Sequence, residues 1–154
     1  MSKYEEKLTS MGIKLSTPPT PVANYVGFVK TGNLVYISGQ IPLDNGELKY
    51  VGTVGAEVLE EDAKKAARIC AINILSQLKL ACDGDLDKMK KCIRLGIFVN
   101  AVPGFKNHPE VANGASDIIA EVFGDAGKHS RAATGARSLP RNVSVEIDGI
   151  FEIS

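Results

Sequence analysis

The chain has 154 residues, the size of one ordinary domain, and its 18 basic and 18 acidic side chains give no formal net charge. This balance argues against a protein that coats nucleic acid or anionic membranes through charge alone. The composition, 44% hydrophobic and 23% charged, is typical of a folded globule, and no apolar run approaches the roughly 18 to 20 residues of a membrane span. Residues 1–10 are polar and unlike a signal peptide, so we expect a cytoplasmic protein.

Few side chains in the sequence are suited to metal or redox chemistry. Cys70, Cys82 and Cys92 contain no C-x-x-C pair, and each is expected to be a small buried hydrophobic residue. The only histidines, His108 and His129, have no acidic residue at metal-ligand spacing from both. The sequence therefore predicts neither a metal nor another cofactor.

Residues 1–21 are predicted to form an extension that precedes the main domain. Apolar residues at intervals of four, three and four over 3–15 predict a short amphipathic helix, which Gly12 disfavours at its end. The run 16–21 contains three prolines, which fix φ and lack an N–H donor, so regular structure is expected to stop there.

Residues 22–154 are predicted to form one α+β domain with the order β-β-β-α-β-α-β-β. Strands over 25–30 and 34–38 flank a turn, and 50–54 is predicted as a short third strand. A helix from Glu57 to Ala81 has an alanine-rich apolar stripe, and a strand follows over 92–100. A second helix over 109–122 precedes two closing strands over 131–136 and 142–153.

Both helices are expected to pack on one face of a single sheet, against Ile93, Leu95, Ile97 and Val99. The side chains expected on the opposite face are mixed in polarity: Tyr36, Ser38, Arg94, Phe98 and Asn100. A two-layer domain with such a face would expose apolar area to water. We therefore expect the protein to associate through this face into an oligomer.

Four segments combine polar side chains with small residues or with an alternating pattern. They are a strand ending in hydroxyl, glycine and amide (36–42), an asparagine and glycine within a helix (113–116), an arginine opening a strand of small residues (129–135) and a glutamate on the polar face of a strand (139–147). Arginine can bind a carboxylate through two hydrogen bonds, and the small neighbours of Arg131 leave room for a small anion. Structural alternatives remain for each segment: a strand cap, a tight helix contact, a surface arginine and a solvated carboxylate.

Together these segments resemble the RidA/YjgF family, the reactive intermediate deaminases also called L-PSP endoribonuclease-like proteins. The resemblance runs from Val22 to the C-terminus and rests on the 36–42 motif, the Gly52–Gly55 turn, the alanine-rich helix and the closing pattern from Arg131 to Ile147. It implies a chorismate-mutase-like fold. It also implies a homotrimer with a central β-barrel and with active sites between subunits.

The family resemblance further implies hydrolysis of reactive 2-enamino or 2-imino acids to 2-keto acids and ammonia. By position, Arg131 is implied to bind the substrate carboxylate and Glu146 to place the attacking water, which makes these two the expected catalytic residues. The expected substrate-binding residues are Tyr25, Ser38, Asn113 and Ala133. Ala133 stands where many members have a cysteine, so no thiol chemistry is expected.

Two other functions stay open on the sequence alone. Some relatives are named endoribonucleases or translation inhibitors, and His129 beside Arg131 is the best feature for RNA cleavage, although the zero net charge disfavours a nucleic-acid partner. A non-catalytic protein that binds small carboxylates in the same cleft is the third hypothesis. Segments 113–116 and 127–131 resemble those of a divergent branch of the family, whose members have no firmly assigned substrate.

Overall fold

The computed structural model of the protein describes residues 2–154, which contain three α-helices, a five-stranded sheet and a two-stranded hairpin. The helices are α1 (Lys3–Ser10), α2 (Glu60–Ala81) and α3 (His108–Phe123). The strands are β1 (Phe28–Thr31), β2 (Leu34–Gln40), β3 (Leu43–Asp44), β4 (Glu47–Leu48), β5 (Met89–Asn100), β6 (Ser130–Ala136) and β7 (Val145–Ile153). The predicted α+β class, with two long helices and one main sheet, is confirmed.

The register of the main sheet decides which face each functional side chain occupies. Its strands lie in the order β1-β2-β7-β5-β6, with β6 parallel to β5 and the other neighbours antiparallel. Arg131 on β6 is paired with Leu95, whereas Glu146 on β7 is paired with Phe98. Successive residues of a strand point to opposite faces. Arg131 and Glu146 therefore lie on opposite faces of the sheet.

The core lies between the sheet and helices α2 and α3. The residues predicted to form the apolar stripe of α2 are all buried: Ala63, Ala66, Ala67, Cys70, Ile74, Leu78 and Ala81. Gly114 allows α3 to approach α2 closely, because a β-carbon there would overlap the carbonyl oxygen of Lys64. Gly114, a weak helix former, is therefore required at this position by the close packing of α3 against α2.

Strand β5 confirms most of the predicted alternation. Leu95, Ile97 and Val99 are buried as expected, but an irregularity in the pairing with β7 lies between Cys92 and Arg94. A bulge of this kind shifts the side-chain alternation by one residue. Consequently Cys92 is fully buried, and Ile93, predicted to face the helices, is only half-buried.

The other face of the sheet carries large hydrophobic side chains that remain in contact with solvent. Val29 and Tyr36 are paired across β1 and β2 and are 54% and 44% exposed, and Phe98 on β5 is 38% exposed. Asn100, which was predicted on this face, is instead buried. Its amide group donates to the carbonyl oxygens of Gly52 and Val143 at 3.4 Å and 3.1 Å, since the loop from 51 to 54 folds over it.

Several predicted elements have other bounds in the structure: β1 begins at Phe28 rather than at residue 25, and β7 begins at Val145 rather than at residue 142. Residues 50–54 form no strand, because Gly52 and Gly55 have φ of 133° and 92° and leave only isolated bridges at Val51 and Val54. Helix α2 begins at Glu60 rather than at residue 57, and α1 ends at Ser10, just before Gly12, whose φ is 74°. Within residues 2–154, no helix has both the length and the apolar character needed to cross a membrane.

The three cysteines are free and buried, as predicted. Desolvation raises the pKa of Cys92 to about 12 and raises the pKa of Cys70 well above its ordinary value. The thiolate form is therefore disfavoured at both positions. Their role is that of small core residues.

Candidate active site

The six residues predicted for the site fall into two groups, and Arg131 of the first lies on the opposite face of the sheet from Glu146 of the second. Arg131, Asn113 and Ala133 belong to β6 and α3. Arg131 bonds to Asn113 and Ser116, and Ser116 bonds in turn to His129; we call these four residues the arginine cluster. Tyr25, Ser38 and Glu146 line one cavity, which we call the carboxylate pocket.

The arginine cluster forms where α3 crosses the edge strand β6. Strands β5 and β6 are parallel, so the chain between them must cross over the sheet, and α3 makes this crossing. Asn113 and Ser116 are three residues apart and share one side of the helix. Ala133 lies two residues beyond Arg131 on the same face of β6, where its short side chain leaves space beside the guanidinium.

The hydrogen bonds of Arg131 occupy one end of its guanidinium and leave one edge free. Nη1 donates to Asn113 Oδ1 at 2.8 Å and to Ser116 Oγ at 3.0 Å, which uses both of its hydrogens. Nη2 makes one long contact of 3.5 Å with the carbonyl oxygen of Pro109, and Nε has no partner among residues 2–154. Since the residue is exposed, the Nε–Nη2 edge is available to a carboxylate, which it can bind with two parallel hydrogen bonds.

Ser116 and His129 complete this cluster. Ser116 Oγ lies 2.9 Å from His129 Nε2, and His129 Nδ1 lies 2.6 Å from the carbonyl oxygen of Gly127. Ser116 was not predicted as a site residue, and no role was assigned to His129 beyond the RNA hypothesis. The three-residue spacing between Asn113 and Ser116 is the one signal in the sequence that could have identified the serine.

The carboxylate pocket has a volume of about 600 Å³ and lies at the β2–β7 junction. Glu146 is half-buried there, and its pKa is raised above the ordinary 4.5. Desolvation is the larger cause, and the nearby charge of Asp148 is the smaller one. Gly39 makes room for this carboxylate, because a β-carbon at that position would lie 3.0 Å from Oε1 of Glu146. Ser38, beside it, donates its hydroxyl hydrogen to the carbonyl oxygen of Val26 at 2.6 Å.

Two parts of the pocket were not predicted. The proline-rich residues 16–22 form one wall, so the segment that was expected to precede the main domain contributes to this cavity. Arg141 also lines the pocket. Its φ is 57°, and the φ of the next residue, Asn142, is 58°. Non-glycine residues rarely adopt such values, and strained backbone of this kind is frequent at functional sites.

A single chain does not bring the two expected catalytic residues together. Arg131 is absent from the lining of the carboxylate pocket, and β5 separates its strand from that of Glu146. Each face of the sheet thus carries one half of the chemistry: a cation with a free edge on one, and a carboxyl group with raised pKa on the other.

Comparison with known proteins identifies relatives over nearly the whole chain. The family model described as "YjgF/chorismate_mutase-like, putative endoribonuclease" matches residues 5–151. The protein named TCP17 from Trypanosoma cruzi is 40% identical over 148 residues, which cover 96% of this chain and 92% of that protein. A 2-iminobutanoate/2-iminopropanoate deaminase from Dermatophagoides farinae is 27% identical over 141 residues, covering 90% of this chain and 94% of the relative.

The fold also matches solved structures. The crystal structure of a protein of unknown function from Agrobacterium tumefaciens superposes with a TM-score of 0.93. Its sequence is 47% identical, and the match covers 99% of this chain and 93% of that one. The similarity includes the segments before residue 22, so the arrangement of α1 and the proline-rich wall belongs to a fold shared with other proteins.

Proposed function

The chain is a member of the YjgF family, and we propose that it hydrolyses reactive 2-imino or 2-enamino acids to 2-keto acids and ammonia. The free Nε–Nη2 edge of Arg131 is the observation that carries this proposal, because it offers a two-bond site for the carboxylate that all such substrates share. The printed name of the Dermatophagoides relative, an imine deaminase, supports the same reaction class.

The proposed active site lies between copies of the chain in a homotrimer. Arg131, Asn113 and Ala133 of one copy would face Glu146, Tyr25 and Ser38 of the next. Two observations support this arrangement: Arg131 and Glu146 lie on opposite faces of the sheet, and hydrophobic side chains such as Tyr36 and Phe98 are exposed on the face of Glu146. Burying that face against a second copy would remove apolar area from water and complete the site at once.

In the proposed reaction, Arg131 binds the carboxylate and holds the imine carbon near Glu146. The ionised carboxylate of Glu146 takes a proton from water while the water oxygen bonds to the imine carbon. The proton then passes from Glu146 to the nitrogen, which gives a carbinolamine. Glu146 next transfers the hydroxyl hydrogen of this intermediate to the nitrogen, the carbon–nitrogen bond breaks, ammonia leaves and the carbonyl of the keto acid forms. The raised pKa of Glu146 makes it a stronger base than an ordinary carboxylate, which suits this step.

RNA cleavage draws less support from the same geometry. His129 was the best candidate for an acid or base, but both of its ring nitrogens are engaged, one with Ser116 and one with the carbonyl oxygen of Gly127. A histidine in this arrangement has no free nitrogen to exchange a proton with a ribose hydroxyl.

The test is keto-acid release from 2-aminoacrylate generated in situ. We expect the protein to accelerate keto-acid release. Arg131→Ala should lower kcat/KM by about a hundredfold, because it removes two charge-assisted hydrogen bonds to the substrate carboxylate. Arg68→Ala is the matched control, since Arg68 is a half-buried arginine of α2 that does not line the carboxylate pocket. Absence of acceleration by the intact protein, or equal losses in both variants, would contradict the proposal.

A further inference from the structure

The hydroxyl of Ser116 links Arg131 to His129. Its oxygen lies 3.0 Å from Arg131 Nη1 and 2.9 Å from His129 Nε2, and the far side of the imidazole lies 2.6 Å from the carbonyl oxygen of Gly127. These contacts join segment 113–116 to segment 127–131, two stretches that the fold brings together across α3 and β6. Of the groups in these contacts, only Arg131 is expected to touch the substrate.

With a neutral imidazole, the groups at the two ends of this chain of hydrogen bonds fix the direction of each bond within it. A carbonyl oxygen only accepts, so Nδ1 of His129 carries the hydrogen and donates it to Gly127. In the neutral ring Nε2 then has a lone pair and accepts the hydroxyl hydrogen of Ser116. A guanidinium only donates, so the remaining lone pairs of Ser116 Oγ accept from Arg131 Nη1.

The terminal acceptor is held firmly against the same helix that carries Ser116. Gly127 is buried, and a β-carbon there would lie 2.5 Å from the carbonyl oxygen of Ile119 on α3. The residue must therefore be glycine for the backbone to approach this closely. As a result, helix α3 fixes the positions of the Gly127 carbonyl group, the His129 imidazole and the Ser116 hydroxyl.

We propose that Ser116 and His129 are positioning residues that set the rotation of the Arg131 guanidinium, and this inference rests on the proposed role of Arg131 in carboxylate binding. His129 removes the rotational freedom of the Ser116 hydroxyl, so that its lone pair always faces Nη1. Together with Asn113, the serine holds Nη1 inward and turns the Nε–Nη2 edge outward. Without it, Nη1 keeps one partner only and the guanidinium can rotate away from the orientation that binds substrate.

The test compares Ser116→Ala, His129→Phe and Ser116→Thr in the keto-acid assay. We expect the first two to raise KM about tenfold, the effect of one lost hydrogen bond to a charged group, with kcat changed less than about twofold. Ser116→Thr keeps the hydroxyl and should restore most of the substrate affinity. Ser130→Ala is the matched control, because Ser130 adjoins Arg131 in sequence but donates its hydroxyl to the carbonyl oxygen of Ile93.

A spectroscopic measurement separates positioning from general damage to the fold. In the intact protein, long-range proton–nitrogen NMR at neutral to mildly alkaline pH should find His129 with its hydrogen on Nδ1. Binding of 2-ketobutyrate, measured by calorimetry, should weaken in Ser116→Ala by the same factor as KM rises, while the unfolding midpoint stays near that of Ser130→Ala.

Failures of this inference and of the proposed function are distinguishable. If Arg131→Ala retains normal activity, the proposed function is wrong and the positioning role falls with it. If Arg131→Ala is inactive while Ser116→Ala keeps its KM, or if the hydrogen of His129 resides on Nε2, only the positioning role is overturned. A KM increase in Ser116→Ala that Ser116→Thr does not reverse would also overturn it.

Discussion

Mixing two inactive variants offers a direct test of a site divided between copies of the chain. Arg131→Ala removes the cation and Glu146→Gln removes the base, so each variant alone should keep no more than about a hundredth of the wild-type activity. In a mixed trimer, however, some interfaces combine an intact Arg131 from one copy with an intact Glu146 from its neighbour. Such interfaces should be active.

The register of the sheet excludes the simpler possibility of a site within one chain. Arg131 is paired with Leu95 and Glu146 with Phe98, so the two α-carbons are separated by two strand spacings and three residues along β5. With about 4.8 Å between strands and about 3.3 Å per residue, this amounts to roughly 14 Å, and the side chains point away from each other. One small imino acid cannot contact both groups across the sheet.

The expected recovery follows from random assembly. At equal amounts of the two variants, an interface takes its arginine from an intact copy with a chance of about one half, and its glutamate likewise, so about one quarter of the wild-type activity should return. The variants would be unfolded together, refolded and assayed for keto-acid release. Mixing Arg131→Ala with the double variant Arg131→Ala/Glu146→Gln is the control and should recover nothing. Mixed trimers that form but stay inactive would refute the divided site.

Three further predictions concern Glu146, Gly114 and the three cysteines. The pKa of Glu146 is raised in the folded protein above the 4.5 of the unfolded chain, so folding favours the protonated side chain. Its contribution to the free energy of unfolding is therefore complete below pH 4.5 and is lost as the pH rises through the pKa of the folded state. Glu146→Gln should therefore be more stable than the wild type at pH 8 and no more stable near pH 4 by thermal melting, and a melting difference independent of pH would contradict this. Gly114→Ala should destabilise the protein by about 2 kcal/mol in urea titrations, because its methyl group overlaps the Lys64 carbonyl oxygen by more than helix propensity can offset. Ellman's reagent should react slowly with the native protein and quickly with all three thiols after denaturation, whereas rapid native labelling would show that a cysteine is accessible.

Periodicity in the sequence was sufficient to predict the elements that build the core. The stripe of α2 and the alternation of β5 depend on local spacing, and both are seen in the structure apart from the bulge at Cys92. The bulge could not be predicted, since it arises from how β5 pairs with β7 and leaves no local pattern. The loop over 50–54 is similar: its valines favour a strand, but glycines at positive φ and contacts with Asn100 decide its path.

The candidate site was predictable only where one residue type implies one chemistry. An arginine that opens a strand of small residues indicates an anion site, and the structure gives Arg131 a free edge. The contact between Ser116 and His129 depends instead on the crossover of α3 above β6, which a linear pattern does not reveal. The proline-rich wall of the carboxylate pocket is a tertiary contact of the same kind.

Placing the cation and the base on opposite faces makes assembly a condition for activity in the proposed mechanism. Neither half alone can hold the carboxylate and activate water at the same carbon, so an isolated chain would bind an anion weakly and release it unchanged. The exposed hydrophobic face, through which we propose that the copies associate, also carries Glu146, while the edge strand β6 carries Arg131. Burial of that face in the proposed oligomer would then exclude bulk water from around Glu146, so that the carboxylate acts on the water molecule beside the bound substrate.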